Sequence, residues 1–430
     1  MAKKSSKSVR KKRKSATVFF NSCSKIAAEK YFSNLYKLAE LSGCEKACQL
    51  LSKVDKRNLY FSRVHFCRPK VKEGTPIDKS VAKFIGDQIR NICETPLVIF
   101  VPGKPMVSIH EACTVYSFIK FLENFYEGSS GDKLREAFKP LLLVYDTLEN
   151  PFHTLYEWYN NVLASFNTCN RACFGIDHTT ELRHYPTVGV YNVVHLVHHW
   201  PSKDRIKIDN KYRPIYRLGW PIWTGEMDYL TIDSRIVKDL YDGNKPVLKI
   251  YIQNHAFIRF HERTMPLMRS FVNLSMMISW THSNVEIFKG RILIPFKYFG
   301  IKLGYFLSEI IDEKLVVKTF LFITHHHTPE GSKLESISGL SKKEISYWRI
   351  DKVETFLSSN IKEDSLMNEL FEKAGLQNLF QLRTVEPQKL DRDNYSWDSI
   401  EEYILKGQQE LCDDWESAES PDPKREVQLS

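Results

Sequence analysis

Three apolar, β-branched runs follow one another with only a few residues between them: RILIPF at 291–296, GIKLGYFLSEI at 300–310 and KLVVKTFLFIT at 314–324. Strands joined this closely pair antiparallel, because a parallel pair needs a long crossover. The sequence therefore predicts a β-meander, with IDEK as the hairpin turn between its last two strands. A further strand, VLKIYI at 247–252, precedes a helix over 254–264, for which Asn254 is the expected N-cap. A second helix begins after Pro266, with Leu267, Phe271, Leu274 and Ile278 at core spacing, and a last helix is expected from Lys342 to Leu357.

A chain of 430 residues is too long for one ordinary core. The expected fold class is α+β in two domains, the C-terminal one a small antiparallel sheet packed by helices. The expected divisions are a disordered basic tail at 1–16, a mixed α/β domain at 17–235, the meander domain at 236–358, and a helical acidic region with a disordered end at 359–430. In the first domain a helical segment from Ser24 to Val54 is broken at Ser42–Gly43. LVIFVPG at 97–103, LLLVYDT at 141–147 and TVGVYNVVHLV at 187–197 read as strands.

The formal charge of +9 is unevenly spread: residues 3–14 hold eight Lys or Arg and no acid, whereas the chain from Glu386 onward carries a net −8. Lys11, Lys12, Arg13 and Lys14 form a cluster suited to a polyanion such as RNA, or to a nuclear address. In the acidic region Trp397, Ile400, Tyr403, Ile404 and Leu411 suggest an amphipathic helix that docks on the body or on a protein partner. No run approaches the roughly 18 apolar residues of a membrane helix. Nine cysteines with no signal peptide point to a reduced cytoplasmic protein, or a nuclear one in a eukaryote.

The motif NHAFIRFHERT at 254–264 places His255, Arg259, Glu262 and Arg263 within a sector of about 100° on a helix, with Phe257, Phe260 and Thr264 opposite. A solvated face laced by a Glu262–Arg259 pair accounts for this spacing. So does phosphate chemistry, since histidine carries protons near neutrality and arginine binds phosphate oxygens in pairs. The order His-Ala…Arg…Glu-Arg, then helix and meander, resembles over about 245–335 the small bacterial domains grouped with the RelE/barnase/EndoU-like ribonuclease-toxin superfold. That resemblance implies metal-independent RNA cleavage, with His255 as base or acid, Arg259 and Arg263 on phosphate, and Glu262 orienting an arginine. His325 and His327, expected on one side of a strand end, are candidates for the second proton carrier, and Arg291 and Lys318 for phosphate contacts. No cofactor and no metal is expected: HLVHH at 195–199 reads as strand, and Cys44/Cys48 and Cys169/Cys173 read as helix packing. The alternatives are a non-catalytic nucleic-acid or ribosome-associated binding protein, and a structural or partner-binding protein.

Overall fold

The computed structural model describes residues 25–385, apart from 125–128, 149, 172, 184–188, 209, 223, 283 and 358–365. The Lys11–Lys14 cluster and the amphipathic segment after Glu386 lie outside the described residues. The structure is mixed α+β with several sheets. It divides into two compact units. One is built from the chain up to Leu163 with Phe174–His199 and Pro221–Glu226; the other from Ala164–Cys173, Trp200–Trp220 and the chain from Met227 onward. The chain thus passes between units several times, rather than once near residue 235.

The first unit packs helices around Leu35, Leu38, Phe118, Ile119, Phe138 and Leu141. LLLVYDT is helical, not a strand: the helix runs Lys139–Thr147. Pro140 suits its first turn, and Leu141 and Tyr145, four apart, are the buried pair. A short apolar run fits either period, and here the i,i+4 pair decides. LVIFVPG contributes only the short strand Pro96–Val98. Gly189–His199 is a strand, as read, and pairs in parallel with Val64–Phe66 and Lys70–Val71.

The second unit carries an eight-stranded sheet. Its strands are β1 (Lys203–Ile208), β2 (Lys211–Arg217), β3 (Thr231–Asp233), β4 (Val247–Gln253), β5 (Glu286–Phe288), β6 (Arg291–Tyr298), β7 (Ile301–Ile311) and β8 (Lys314–Phe322). The order is β5-β6-β7-β8-β4-β2-β1, with β3 also paired to β4. The meander is closed by two-residue turns at Lys289–Gly290, Phe299–Gly300 and Asp312–Glu313, all with positive φ at both residues. That geometry matches the twist of antiparallel strands.

The sheet exceeds the expected small antiparallel one: β3 and β5 join it as short antiparallel strands that the sequence does not mark. The β1–β2 hairpin extends it, and β8 lies parallel to β4, with Lys249 opposite Lys314 and Ile252 opposite Val317. The segment between β4 and β8 supplies the long connection that parallel pairing requires. It includes α1 (Asn254–Thr264) and α2 (Arg269–His282). Phe260 of α1 is wholly buried, with its ring 4.8 Å from Phe296 and 5.1 Å from both Phe306 and Phe320. After β8 come α3 (Pro329–Ser338), α4 (Lys342–Tyr347) and α5 (Val353–Leu357). The single helix expected over 342–357 is thus two short ones, interrupted where Arg349 takes a positive φ.

Candidate functional site

The helix motif begins where β4 ends. Gln253, not Asn254, occupies the cap position, and the Asn254 side chain instead accepts a hydrogen bond from Asn170 at 2.9 Å. Ala256, Phe257, Phe260 and Thr264 form the buried face of α1, which leaves His255, Arg259 and Glu262 exposed. Arg259 pairs with Glu262 at 2.9 Å. Such an exposed i,i+3 pair contributes about 0.2–0.5 kcal/mol. Glu262→Ala is accordingly expected to change stability by less than about 0.5 kcal/mol in urea unfolding. A loss several times larger would show that Glu262 anchors more than its neighbour.

Arg263 turns the other way. Its Nη1 donates to the Phe320 carbonyl at 2.9 Å and its Nη2 lies 3.9 Å from Asp351. Both side chains are nearly covered, at 16% and 13% exposure. Burial pulls the Arg263 pKa down and pushes the Asp351 carboxyl up, against the attraction of the pair. Asp351 Oδ1 is buried without a hydrogen-bond partner. Of the stripe, two members therefore pair with one another in solvent and one is anchored inward.

The histidines at 325–327 leave the sheet after β8 ends at Phe322 and sit in a turn, so strand alternation does not set their directions. The Thr328 hydroxyl lies 2.6 Å from the Ile323 carbonyl and 2.7 Å from that of His325, and it caps α3 by accepting the Gly331 N–H at 3.0 Å. Gly331 is required here, because a Cβ would stand 2.1 Å from the His325 carbonyl oxygen. The rings pack together, with centroids 4.3 Å apart for His325–His326 and 3.7 Å for His326–His327. His325 Nδ1 accepts the His327 backbone N–H at 3.2 Å, which leaves its proton on Nε2.

Burial first, then the neighbouring His326 and Arg263, lowers His325 to about 3. Burial, then His326 and Arg291, lowers His327 to about 4. His255 is lowered too, by partial burial first and then by Arg259, with Arg213 and Arg263 adding. These imidazoles are neutral at pH 7. The charge of Arg263 acts on both His255 and His325, so the helix motif and the histidine turn share one electrostatic neighbourhood.

Arg291 and Lys318 line one cavity of 460 Å³, together with Gly290, Ser308 and Glu309. Lys318 is paired with Glu309 at 2.6 Å. Arg291 has no ion pair among the described residues, and the buried Ser308 hydroxyl has no hydrogen-bond partner. Arg291 also acts on His326 and His327, which links this cavity to the histidine turn.

Asp351, Arg213 and Lys342 belong to the neighbourhood and carried no sequence signal, since each stands among other charges with nothing to set it apart. Nor did Tyr305, whose buried hydroxyl meets Lys302 at 2.7 Å, Glu330 at 3.0 Å and Glu286 at 3.1 Å. Among the described residues no three His, Cys, Asp or Glu side chains converge as a metal-binding set. Burial pushes the thiols of Cys48 and Cys173 up to about 11 and about 12, although Cys169 and Cys173 are not on a helix: Cys173 opens the strand Cys173–Arg183. No described helix is long and apolar enough to cross a membrane. No family model, curated protein or solved structure matches the chain.

Proposed function

We propose that the second unit binds RNA through its phosphates and carries the groups for metal-independent cleavage of it. The observation that carries this reading is the placing of two neutral imidazoles, His255 and His325, under the influence of one arginine, Arg263. RNA supplies its own nucleophile, the 2′-OH, so the protein needs a base, an acid and cations for the crowded negative charge. His255 is exposed and neutral, so it can take the hydroxyl proton, with Arg259 at hand for a phosphate oxygen once it exchanges Glu262. His327, more exposed than His325, is the better second proton carrier; His325 positions it through the Nδ1 contact.

Arg263 is assigned as a cation that adds to the burial keeping His255 and His325 neutral, and Arg291 and Lys318 as contacts for flanking phosphates. The order of helix and meander supports the RelE/barnase-like assignment. In the same proposal the chain is a two-domain cytoplasmic or nuclear protein, with Lys11–Lys14 as an RNA arm and the acidic C-terminal region as a site for a protein partner.

A second reading, a non-catalytic nucleic-acid-binding surface, is favoured by the Arg259–Glu262 pair and by Arg263's inward anchoring. Cleavage of total RNA in EDTA separates the two. The catalytic reading expects products ending in 2′,3′-cyclic phosphate and a loss of about 10²–10⁴-fold in His255→Ala and His327→Ala. Cleavage equal in all three proteins, or none, sinks it. Salt-sensitive RNA retention unaffected by either histidine substitution would establish the binding reading.

A further inference from the structure

A cavity of 630 Å³ opens in the first unit, within the ~300–1,000 Å³ range of small-molecule sites. Its lining includes Lys30, Arg63, Arg68 and Arg90 against one acid, Glu94. We propose that this cavity binds a phosphoryl group, presented either as free phosphate or as a small phosphate monoester.

Arg63 is the most covered of these cations. It is only 8% exposed, yet no carboxylate pairs with it among the described residues. Its Nη1 donates to the Tyr60 carbonyl, its guanidinium lies 3.4 Å from the Tyr60 ring centroid, and the other groups acting on its charge are the phenols of Tyr191 and Tyr31. Arginine does not escape burial by losing its proton. A covered charge with no carboxylate beside it is costly unless something neutralises it, and among the described residues the Tyr60 carbonyl is the one protein acceptor that Arg63 has. A bound anion in the cavity that Arg63 lines supplies both.

The surroundings fit that anion. Lys30 and Arg68 have no ion pair among the described residues, and Arg90 meets Asp87 only at 3.6 Å. His65 stacks on Tyr191 with centroids 4.2 Å apart, and its Nε2 is buried without a partner. Several cations around one buried guanidinium suit a dianion with three oxygens better than a carboxylate. A lone phosphate would leave much of the volume empty. Phe66, Ile89 and Tyr159 offer apolar contact to an organic body on the ester.

None of these residues takes part in the proposed RNA cleavage, which lies in the second unit. Calorimetric titration of the full chain with adenosine 5′-monophosphate, inorganic phosphate and adenosine tests it. Binding of a phosphate-bearing probe, absence of binding by adenosine, and at least tenfold weakening in both Arg63→Gln and Arg68→Ala are expected. Tighter binding of the monophosphate than of phosphate would identify an ester as the ligand, and equal binding would identify free phosphate. Absence of heat with both phosphate probes at millimolar concentration overturns the proposal. So does unchanged affinity in the Arg68→Ala protein, which alters an exposed side chain and remains decisive if Arg63→Gln fails to fold.

Discussion

Replacing Arg263 with methionine is expected to cost about 3 kcal/mol of stability, at the lower end of the range for breaking a buried ion pair. The size of the effect comes less from the attraction lost than from what is left behind. Asp351 is nearly covered and one of its oxygens already lacks a hydrogen-bond partner, so without Arg263 it becomes a buried charge with no compensation. The Phe320 carbonyl loses a donor as well. The 3.9 Å separation argues against the upper end of the range, since the pair is not closely hydrogen-bonded. Adding Asp351→Leu to Arg263→Met is expected to recover most of the loss, because two apolar side chains of similar bulk remove the stranded charge. Urea unfolding of the two single variants and the double checks this. A single-variant loss below about 1 kcal/mol, or additive losses in the double, would show that Arg263 is not a structural anchor. The result also bears on the RNA reading. An arginine held this firmly influences its neighbouring histidines through its field, whereas an arginine that could be lost without destabilisation would be free to follow a phosphate.

The meander was legible because each of its turns is local. The three-residue strand Glu286–Phe288 before Lys289–Gly290 is too short to stand out, but Phe299–Gly300 and Asp312–Glu313 each lie between two apolar runs, and a two-residue loop admits one register. The parallel neighbour of that meander was not, because Lys249 and Lys314 find one another only after an intervening pair of helices and three strands. Nothing in either strand's own pattern marks its partner. The buried face of α1 is legible from its period, but the period does not tell which members of the opposite stripe stay in solvent. Arg263 stands beside the buried Thr264, and a long side chain at the edge of a polar sector can reach a strand carbonyl that spacing does not reveal. Asp351 and the cations of the first-unit cavity share a different difficulty. Lys30, Arg63 and Arg90 are isolated charges on separate elements, and only tertiary packing brings them to one wall. Charge counting could not separate them from the solvated lysines and arginines around them.

Acidification from pH 7 to pH 5 is expected to lower the melting temperature by roughly 10 °C, through imidazoles that the fold keeps neutral. His110 and His261 are each lowered to about 4 and His325 to about 3, in every case with burial as the first cause. In the unfolded chain a histidine titrates near 6.5. Between the folded and unfolded values the unfolded state binds more protons, so stability is full above pH 6.5 and falls as pH drops towards 4. At pH 5 each covered imidazole forfeits up to about 2 kcal/mol, an upper limit because local opening relieves part of it. Asp351 works in the opposite direction: burial raises its pKa, so protonation favours the folded state and offsets a little of the loss. The histidines outnumber it, and the sum is acid destabilisation. Melts followed by circular dichroism at pH 5, 6 and 7 test the sign. His110→Phe removes one contributor while keeping a ring against Phe66, with which His110 stacks at 4.6 Å. That variant should show a shallower pH dependence than the parent. A melting temperature that stays level or rises between pH 7 and pH 5 would mean that these histidines take up protons in the folded chain. His325, the one of the three beside the proposed site, would then be cationic and able to hold phosphate as a charge.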